Sequence, residues 1–293
     1  MKTPAPLTTV VLTTFALVVP SCTRSAANER MIQVLGSNTL LEVGRAWAET
    51  YSKLHPDVSL SVNGGGSGKG IAGIIDGTVD FANSSRKMEP GEIEQARKKG
   101  HEPVEHQVGY DGIALFVHKD NPVASLTMEQ LKQIYIEKGA ITKWSQVGVK
   151  MPAGTSDDIV VVSRDDASGT YEYFRDDVLG GKTFNFRNEK RTMSSPTEII
   201  DLVSKTKNAI GYSGLASSRA DVRAVPIAKK EGDKPITPSI DTVLDKTYPI
   251  SRPLFMYSVG EPKGPAKEYL DWILSDAGQR VLLDNHYPPL RRL

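Results

Sequence analysis

The hydrophobic and polar positions follow two periods that succeed one another along the chain. Runs in which apolar residues are continuous or alternate with polar ones indicate strands at 31–36, 58–64, 79–83, 111–118, 159–163 and 251–259. Runs in which apolar residues recur every three or four positions indicate helices at 40–54, 71–75, 126–138, 195–207 and 265–285. The repeated order of strand, helix and strand predicts an α/β fold with a sheet rich in parallel strands and helices on both faces.

Three of these segments carry detailed expectations. The last helix should run unbroken from Pro265, a residue that suits the first turn of a helix. The charged, turn-rich stretch 229–248 should be an exposed loop. The buried face of the first helix should carry Leu40, Gly44, Trp47, Tyr51 and Leu54.

Charge and composition mainly exclude classes of function. The 36 basic residues nearly balance the 35 acidic ones and are scattered, so no binding of nucleic acid or of a charged membrane surface is predicted. The five histidines are also scattered, and none clusters with the single cysteine, so neither a structural zinc site nor any other cofactor is predicted. We therefore expect recognition to be local.

The N-terminal segment has the pattern of an export signal. Lys2 precedes a weakly apolar run at 7–19, and the sequence VVPSC that follows resembles the cleavage box of bacterial lipoproteins. Residues 1–21 are thus predicted to be a signal peptide, Cys22 the lipidated first residue of the mature chain, and residues 22–29 a flexible tether. The alternative is an ordinary signal peptide with an incidental cysteine. Either way the mature protein should work outside the cytoplasmic membrane.

Three predicted strand-to-helix junctions share glycine and small hydroxyl residues: GSNTL at 36–40, GGGSGKG at 64–70 and DASGT at 166–170. A helix N-terminus has unpaired N–H groups and a partial positive charge, and hydroxyls add further donors without a formal charge. Ser84 and Ser85 end another strand, and Arg164 precedes the third junction. Together these groups could surround one oxyanion, although each junction alone could be an ordinary helix cap.

Common nucleotide motifs do not explain the second junction. A Walker P-loop would need glycine at Asn63 and a hydroxyl residue at Gly70. The dinucleotide-binding pattern of spaced glycines lies across a helix start, and no suitable acidic residue follows it about 20 positions later.

At these residues the sequence resembles the compact type of periplasmic or lipid-anchored phosphate-binding proteins of bacterial ABC importers. The resemblance covers roughly residues 30–293. Eight segments agree in order and spacing: GSNTLLEVGRAWAETY, NGGGSGKGIAGIIDGTVDFANSSR, DGIALFVHKDNPV, ITKWSQVG, VVVSRDDASGTYEYF, NAIGYSGLA, YPISRPLFMY and LSDAGQRVL.

The resemblance implies a two-lobed periplasmic binding protein of type II, in which each lobe is a mixed sheet flanked by helices and two strands form the hinge. Lobe one would be 30–110 plus 252–293, and lobe two 111–251. It further implies a monomer that binds inorganic phosphate between the lobes and whose closed form is recognised by the ABC permease subunits in the inner membrane. A lipid anchor would be its only membrane attachment.

Carried over position by position, the family's anion contacts fall on Thr39, Leu40, Ser67, Ser85, Arg164, Ser168, Gly169 and Thr170. Asp166 is read as a side chain that orients Arg164, or else as a turn residue, whereas Asp165 is expected to face solvent. Further candidates are Ser37, Asn38, Ser84, Arg86 and Asp111.

One position departs from the longer members of the family. They have an aspartate where this chain has Ser85, and that carboxylate accepts the hydrogen of protonated phosphate, which sulfate lacks. Serine repels an extra charge less, so selectivity over sulfate, arsenate, molybdate and tungstate is left open. Asp111 is a candidate replacement acceptor.

A different class of function uses the same groups. In a secreted phosphoryl-transfer enzyme Ser168 could be the nucleophile, Arg164 could stabilise the transition state, and Asp165 or Asp166 could hold a metal. Such an enzyme needs a base beside its nucleophile, and no histidine lies near the three junctions in sequence. We therefore expect a binding protein and not an enzyme.

Overall fold

The computed structural model describes Met1 and residues 31–293. The predicted signal peptide, Cys22 and the tether lie outside these described residues. The strands are β1 Ile32–Gly36, β2 Leu60–Asn63, β3 Phe81–Ser84, β4 Pro103–His118, β5 Leu126–Thr127, β6 Val160–Arg164, β7 Arg191–Met193, β8 Ala209–Gly214, β9 Val222–Val225, β10 Ile227–Ala228 and β11 Ser251–Val259. The helices are α1 Leu41–Leu54, α2 Ser67–Asp76, α3 Pro90–Lys98, α4 Met128–Tyr135, α5 Gly169–Phe174, α6 Pro196–Lys205, α7 Ile240–Leu244, α8 Pro265–Leu274 and α9 Asp276–Asp284.

One sheet runs through the molecule in the order β2-β1-β3-β11-β4-β8-β6-β7, and β9 pairs with β4. The strands at its two ends are parallel to their neighbours: β1 pairs in this way with β2 and β3, and β6 with β7 and β8. The central strands β4 and β11 are antiparallel to each other and to β3 and β8. The sheet is therefore mixed, with parallel sets at either end joined by an antiparallel centre.

The long strand β4 belongs to both parts of this sheet. Its residues 103–112 pair with β11, and its residues 113–117 pair with β8. The hydrophobic pattern predicts only 111–118, because the first half of β4 carries polar residues: Glu105 is exposed, and His106 and Gln107 are half-buried.

Separate hydrophobic cores flank the central strands. On the side of β1 and β3, Trp47, Tyr51 and Tyr269 form an aromatic core with α1 and α8, and the Trp47 indole donates to the carbonyl of Gly278 at 2.7 Å. On the side of β6 and β8, the rings of Phe174 and Tyr212 stack at 4.0 Å. Each parallel set thus has its own packed interior, as expected of a lobe.

Three expectations about local structure are wrong: those for Leu54, for the stretch 229–248 and for the final helix. Leu54 is 61% exposed, because it is the last residue of α1 and the helix leaves the core there. The stretch 229–248 is not simply an exposed loop, since Ser239 caps α7 and both Val243 and Tyr248 are buried. The Tyr248 hydroxyl donates to the carbonyl of Ile113 at 2.8 Å, which anchors this segment to β4.

The predicted long final helix is two helices. Ser275 has an extended conformation, with φ −72° and ψ 168°, and it ends α8 and caps α9. A side chain at Gly278 would lie 2.4 Å from the carbonyl oxygen of Trp272, so the two helices meet closely at this glycine. The break turns α9 so that the Gln279 amide donates to the carbonyl of Val108 at 3.0 Å.

The structure also bears on membrane attachment. In residues 31–293 no helix is both long and apolar enough to cross a bilayer.

Candidate functional site

The three hydroxyl-rich junctions meet in one place, between the two hydrophobic cores. Thr39 Oγ1 lies 3.0 Å from Thr170 Oγ1, and Ser85 Oγ lies 3.2 Å from Ser67 Oγ and 3.1 Å from Ser37 Oγ. All of these side chains are buried. We refer to Ser37, Thr39, Ser67, Ser85 and Thr170 as the hydroxyl cluster. Parallel strands bring it together, because the residues that follow β1, β3 and β6 all lie at carboxyl ends of strands.

Gly169 is the point of closest approach within the cluster. A Cβ atom there would lie 2.4 Å from Ser67 Oγ and 2.7 Å from Ser85 Oγ, distances that real Cβ contacts do not reach. Only glycine therefore lets the start of α5 contact the hydroxyls carried by the other part of the sheet.

Two of the predicted donors make local hydrogen bonds in this structure. Ser168 caps α5, and its hydroxyl oxygen accepts from the amides of Thr170 and Tyr171 at 3.2 and 3.4 Å. The Leu40 amide donates to the carbonyl of Ser37 at 3.1 Å. Both residues thus lie at the cluster while also having the capping or turn role that any helix start requires.

Arg164, the last residue of β6, is only 2% exposed. Its backbone amide donates to the Tyr212 hydroxyl at 3.3 Å, so the aromatic core holds this end of the strand. Its Nη2 donates to the carbonyl of Ser194 at 2.8 Å, but no acceptor for its buried Nε was found among the described residues. Burial lowers the pKa of Arg164, yet a guanidinium stays charged at any physiological pH. The result is a buried cation with donor capacity to spare.

The structure corrects the roles predicted for the two aspartates. Asp166 is exposed, as a turn residue would be, and within residues 31–293 no hydrogen bond or ion pair joins it to Arg164. Asp165 is half-buried and is the main negative charge acting on that guanidinium. Burial raises the pKa of Asp165, although the Arg164 charge opposes this. Asp165 therefore balances Arg164 in the way expected of Asp166.

The remaining candidates have varied roles. Asn38 links two loops, because its Oδ1 accepts from the Gly65 amide at 2.8 Å and its Nδ2 donates to the Ser194 carbonyl at 3.0 Å. The Ser84 hydroxyl donates to the carbonyl of Arg86 at 2.7 Å and so shapes the turn after β3.

Arg86 takes part in ion pairs and does not contact the hydroxyl cluster. Its guanidinium forms two hydrogen bonds of 2.7 Å with the carboxylate of Glu92 and a further ion pair with Glu172 on α5. Lys182 pairs with Glu89 nearby. Both Arg86–Glu172 and Lys182–Glu89 connect the part of the chain predicted as lobe one with the part predicted as lobe two.

Arg252 is a buried charge that the sequence analysis missed. The hydrophobic pattern predicts only a strand at 251–259 there, yet an arginine within an apolar strand is unusual enough to be a signal. Its guanidinium forms an ion pair of 2.9 Å with Asp111, and both side chains are at most 1% exposed. Asp111 Oδ2 is therefore engaged by Arg252, whereas its buried Oδ1 makes no hydrogen bond among residues 31–293.

The catalytic alternative depends on Ser168 and on a group that activates it. Across residues 31–293, no group of three or more His, Cys, Asp or Glu side chains is placed to hold a metal ion. The Ser168 hydroxyl accepts from two backbone amides, and no hydrogen bond joins it to a histidine or carboxylate in the described part of the chain. The groups brought together here are hydroxyl donors and a guanidinium, which can hold an anion.

Comparisons with known proteins agree with this arrangement. A family model described as a PBP superfamily domain matches residues 22–277. The phosphate-binding protein PstS of Pseudomonas aeruginosa is 31% identical over 288 residues, which cover 93% of this chain and 87% of that protein.

Solved structures give the same result. One from Clostridium perfringens, described as a phosphate ABC transporter substrate-binding protein with bound phosphate, is 32% identical with a TM-score of 0.78 and covers 89% of this chain and 100% of that one. An ABC-type phosphate transport receptor from Vibrio cholerae is 27% identical with a TM-score of 0.69, covering 87% and 98%. The predicted two-lobed α/β fold is thereby confirmed.

Proposed function

The chain belongs to the PBP superfamily and, within it, to the phosphate-binding proteins, and from this we propose that it binds inorganic phosphate outside the cytoplasmic membrane and delivers it to an ABC importer. It is the binding component of a transporter and not an enzyme. The observation that carries the proposal is the buried hydroxyl cluster beside the buried guanidinium of Arg164.

The chemistry of the cluster suits a tetrahedral oxyanion. Hydroxyl groups supply donors without charge, and Arg164 supplies a permanent positive charge that can bind two oxygens of one anion. The net contribution of one charge-assisted hydrogen bond of this kind to the binding free energy is about 1.5–3 kcal/mol. A few such bonds, less the cost of immobilising the ligand, support micromolar or tighter affinity. The proposed ligand contacts are those carried over from the family: Thr39, Leu40, Ser67, Ser85, Arg164, Ser168, Gly169 and Thr170.

We further propose that the cleft closes by movement about β4 and β11. The lobes would be 30–110 plus 252–293 and 111–251, which agrees with the separate hydrophobic cores on either side of these strands. The anion would then be enclosed by donors from both lobes, and closure would present a distinct shape to the permease subunits. A monomer suffices for this motion. Lipidation of Cys22 would hold the protein on the outer face of the cytoplasmic membrane.

Calorimetric titration of the purified chain tests the function and its selectivity together. We expect one phosphate per chain, with sulfate competing weakly at every pH between about 5 and 9. The reason is that phosphate keeps at least one hydrogen across this range, which Ser85 can accept, whereas sulfate has none. Lack of phosphate binding would refute the proposed function. Equal competition by sulfate throughout would leave phosphate binding intact but refute selectivity through the hydrogen.

The ion pairs between the lobes lead to another prediction. Glu172→Gln removes the negative partner of Arg86 on α5, and the Arg86 and Glu172 side chains are only 10% and 21% exposed. This contact joins the two proposed lobes in the arrangement described here, so its loss should favour a more open form and weaken phosphate binding about fivefold, or about 1 kcal/mol. Titration calorimetry measures the change.

Glu94→Gln is the matched control. Glu94 pairs with Lys98 at 2.6 Å within α3, and both side chains are largely exposed. Its removal should leave phosphate affinity unchanged. If Glu172→Gln and Glu94→Gln bind phosphate equally well, the ion pair between the lobes does not contribute to closure.

A further inference from the structure

Asp111 and Arg252 lie opposite each other where the two central strands cross between the lobes. They are direct partners in the antiparallel register of β4 and β11. Asp111 Oδ2 accepts from Arg252 Nη2 at 2.9 Å and from Nε at 3.3 Å. We call these two residues the crossing pair.

Arg252 also contacts both halves of the hydroxyl cluster. Its Nη2 donates to Thr170 Oγ1 at 2.7 Å and lies 3.4 Å from Thr39 Oγ1, and its Nη1 donates to the carbonyl of Gly169 at 2.9 Å. Thr39 follows β1, whereas Gly169 and Thr170 begin α5. One guanidinium therefore reaches a residue from each proposed lobe.

These contacts determine what the threonine hydroxyls can do. A hydroxyl group has one hydrogen and two lone pairs, so an oxygen that accepts from arginine keeps its own hydrogen for another acceptor. Arg252 donates to Thr170 at 2.7 Å and makes a longer contact of 3.4 Å with Thr39, so both hydroxyls keep their hydrogens. One of these hydrogens bridges the two threonine oxygens, which lie 3.0 Å apart, and an oxyanion would compete for it. An oxyanion, which offers only acceptors unless protonated, requires donors of this kind.

We propose that Arg252 is a positioning residue of the phosphate site, which orients Thr39 and Thr170 as hydrogen-bond donors, and that Asp111 neutralises its charge. This inference rests on the proposed function. The crossing pair then adds two oriented donors without adding net charge, and Arg164 remains the cation that attracts the anion. It also assigns Asp111 a role different from the proton acceptor considered from the sequence.

The test replaces the pair by uncharged side chains of similar shape. In Arg252→Gln/Asp111→Asn no buried charge is left without a partner, so loss of folding is minimised. Phosphate affinity measured by calorimetry should fall at least tenfold. A double-mutant cycle with Thr170→Val should show coupling: the Thr170 substitution should weaken binding several-fold in the original chain and much less in the paired variant, because its hydroxyl is no longer held.

Arg187→Gln is the control for removing a buried arginine. Arg187 is 7% exposed and donates to the carbonyls of Gln133 and Ile141, away from the hydroxyl cluster. It should lower thermal stability while phosphate affinity stays unchanged. If the paired variant does not fold, Arg252→Lys takes its place with the same expected loss of coupling, since one ammonium cannot reproduce the planar set of contacts.

The outcomes separate the two proposals. Failure of the original chain to bind phosphate, or no effect of Thr170→Val, contradicts the proposed function or its site. The role of Arg252 alone is overturned if the original chain binds phosphate normally and the folded paired variant binds it within about twofold of the original. Additive effects in the double-mutant cycle would overturn that role as well.

Discussion

Replacing Arg164 with alanine is expected to weaken phosphate binding at least tenfold, or about 1.4 kcal/mol. Arg164 is the cation of the proposed site that Asp111 does not pair with, and its buried Nε has no acceptor found within the described residues. The substitution removes a charge-assisted interaction that water cannot replace at a buried position. Titration calorimetry with phosphate measures the loss.

The choice of controls separates binding from stability. Arg164→Lys keeps the charge but loses the planar fork, so it should bind phosphate more tightly than the alanine variant and less tightly than the original chain. Arg191→Ala removes an exposed arginine from the adjacent strand β7 and should leave phosphate affinity unchanged. An unchanged affinity in a folded Arg164→Ala protein would refute the assignment of Arg164 to the site.

Gly169→Ala is expected to have a comparable or larger effect. The added Cβ would lie 2.4 Å from Ser67 Oγ and 2.7 Å from Ser85 Oγ, so α5 could not approach the hydroxyls of lobe one as it does here. The cleft would have to stay partly open, and donors from the two lobes could not reach one anion together. We expect phosphate affinity to fall more than tenfold, and small-angle X-ray scattering with phosphate should show incomplete closure.

Gly68→Ala supplies the matched control, because it adds the same methyl group to α2 in the facing lobe. The nearest heavy atom to that Cβ would be the carbonyl oxygen of Ala167 at 3.8 Å, an ordinary contact distance. Its phosphate affinity should match that of the original chain. A Gly169→Ala protein that closes and binds normally would show that the two lobes need not meet as closely as described.

The sequence was sufficient for most of the fold because strong periodicity coincides with burial. The face of α1 that carries Trp47 and Tyr51 is buried as its pattern indicates. The break at Ser275 was missed because apolar periodicity continues across it, and the interruption depends on the packing of Gly278 against Trp272. Similarly, the first half of β4 has no hydrophobic pattern and is a strand because β11 pairs with it.

The sequence indicated the parts of the candidate site whose groups are neighbours in sequence and missed a part whose groups are far apart in sequence. Hydroxyls next to glycine at a helix start can be recognised within a few residues, and the structure places them together. The pairing of Arg252 with Asp111 depends on strand register over a separation of 141 residues, which no short pattern reveals. The exchange of roles between Asp165 and Asp166 depends on which of two neighbouring side chains turns inward.

The antiparallel pair β4 and β11 would have a mechanical consequence if Cys22 is lipidated as proposed. In residues 31–293 the first strand is β1 and the last helix is α9, and both belong to the part of the chain proposed as lobe one. A lipid anchor at Cys22 would therefore restrain that lobe directly, whereas the other lobe would be connected to it through strands β4 and β11. At the membrane, the cleft would then open and close by movement of the unanchored lobe. The anchored lobe would keep its position, and the permease would dock relative to it.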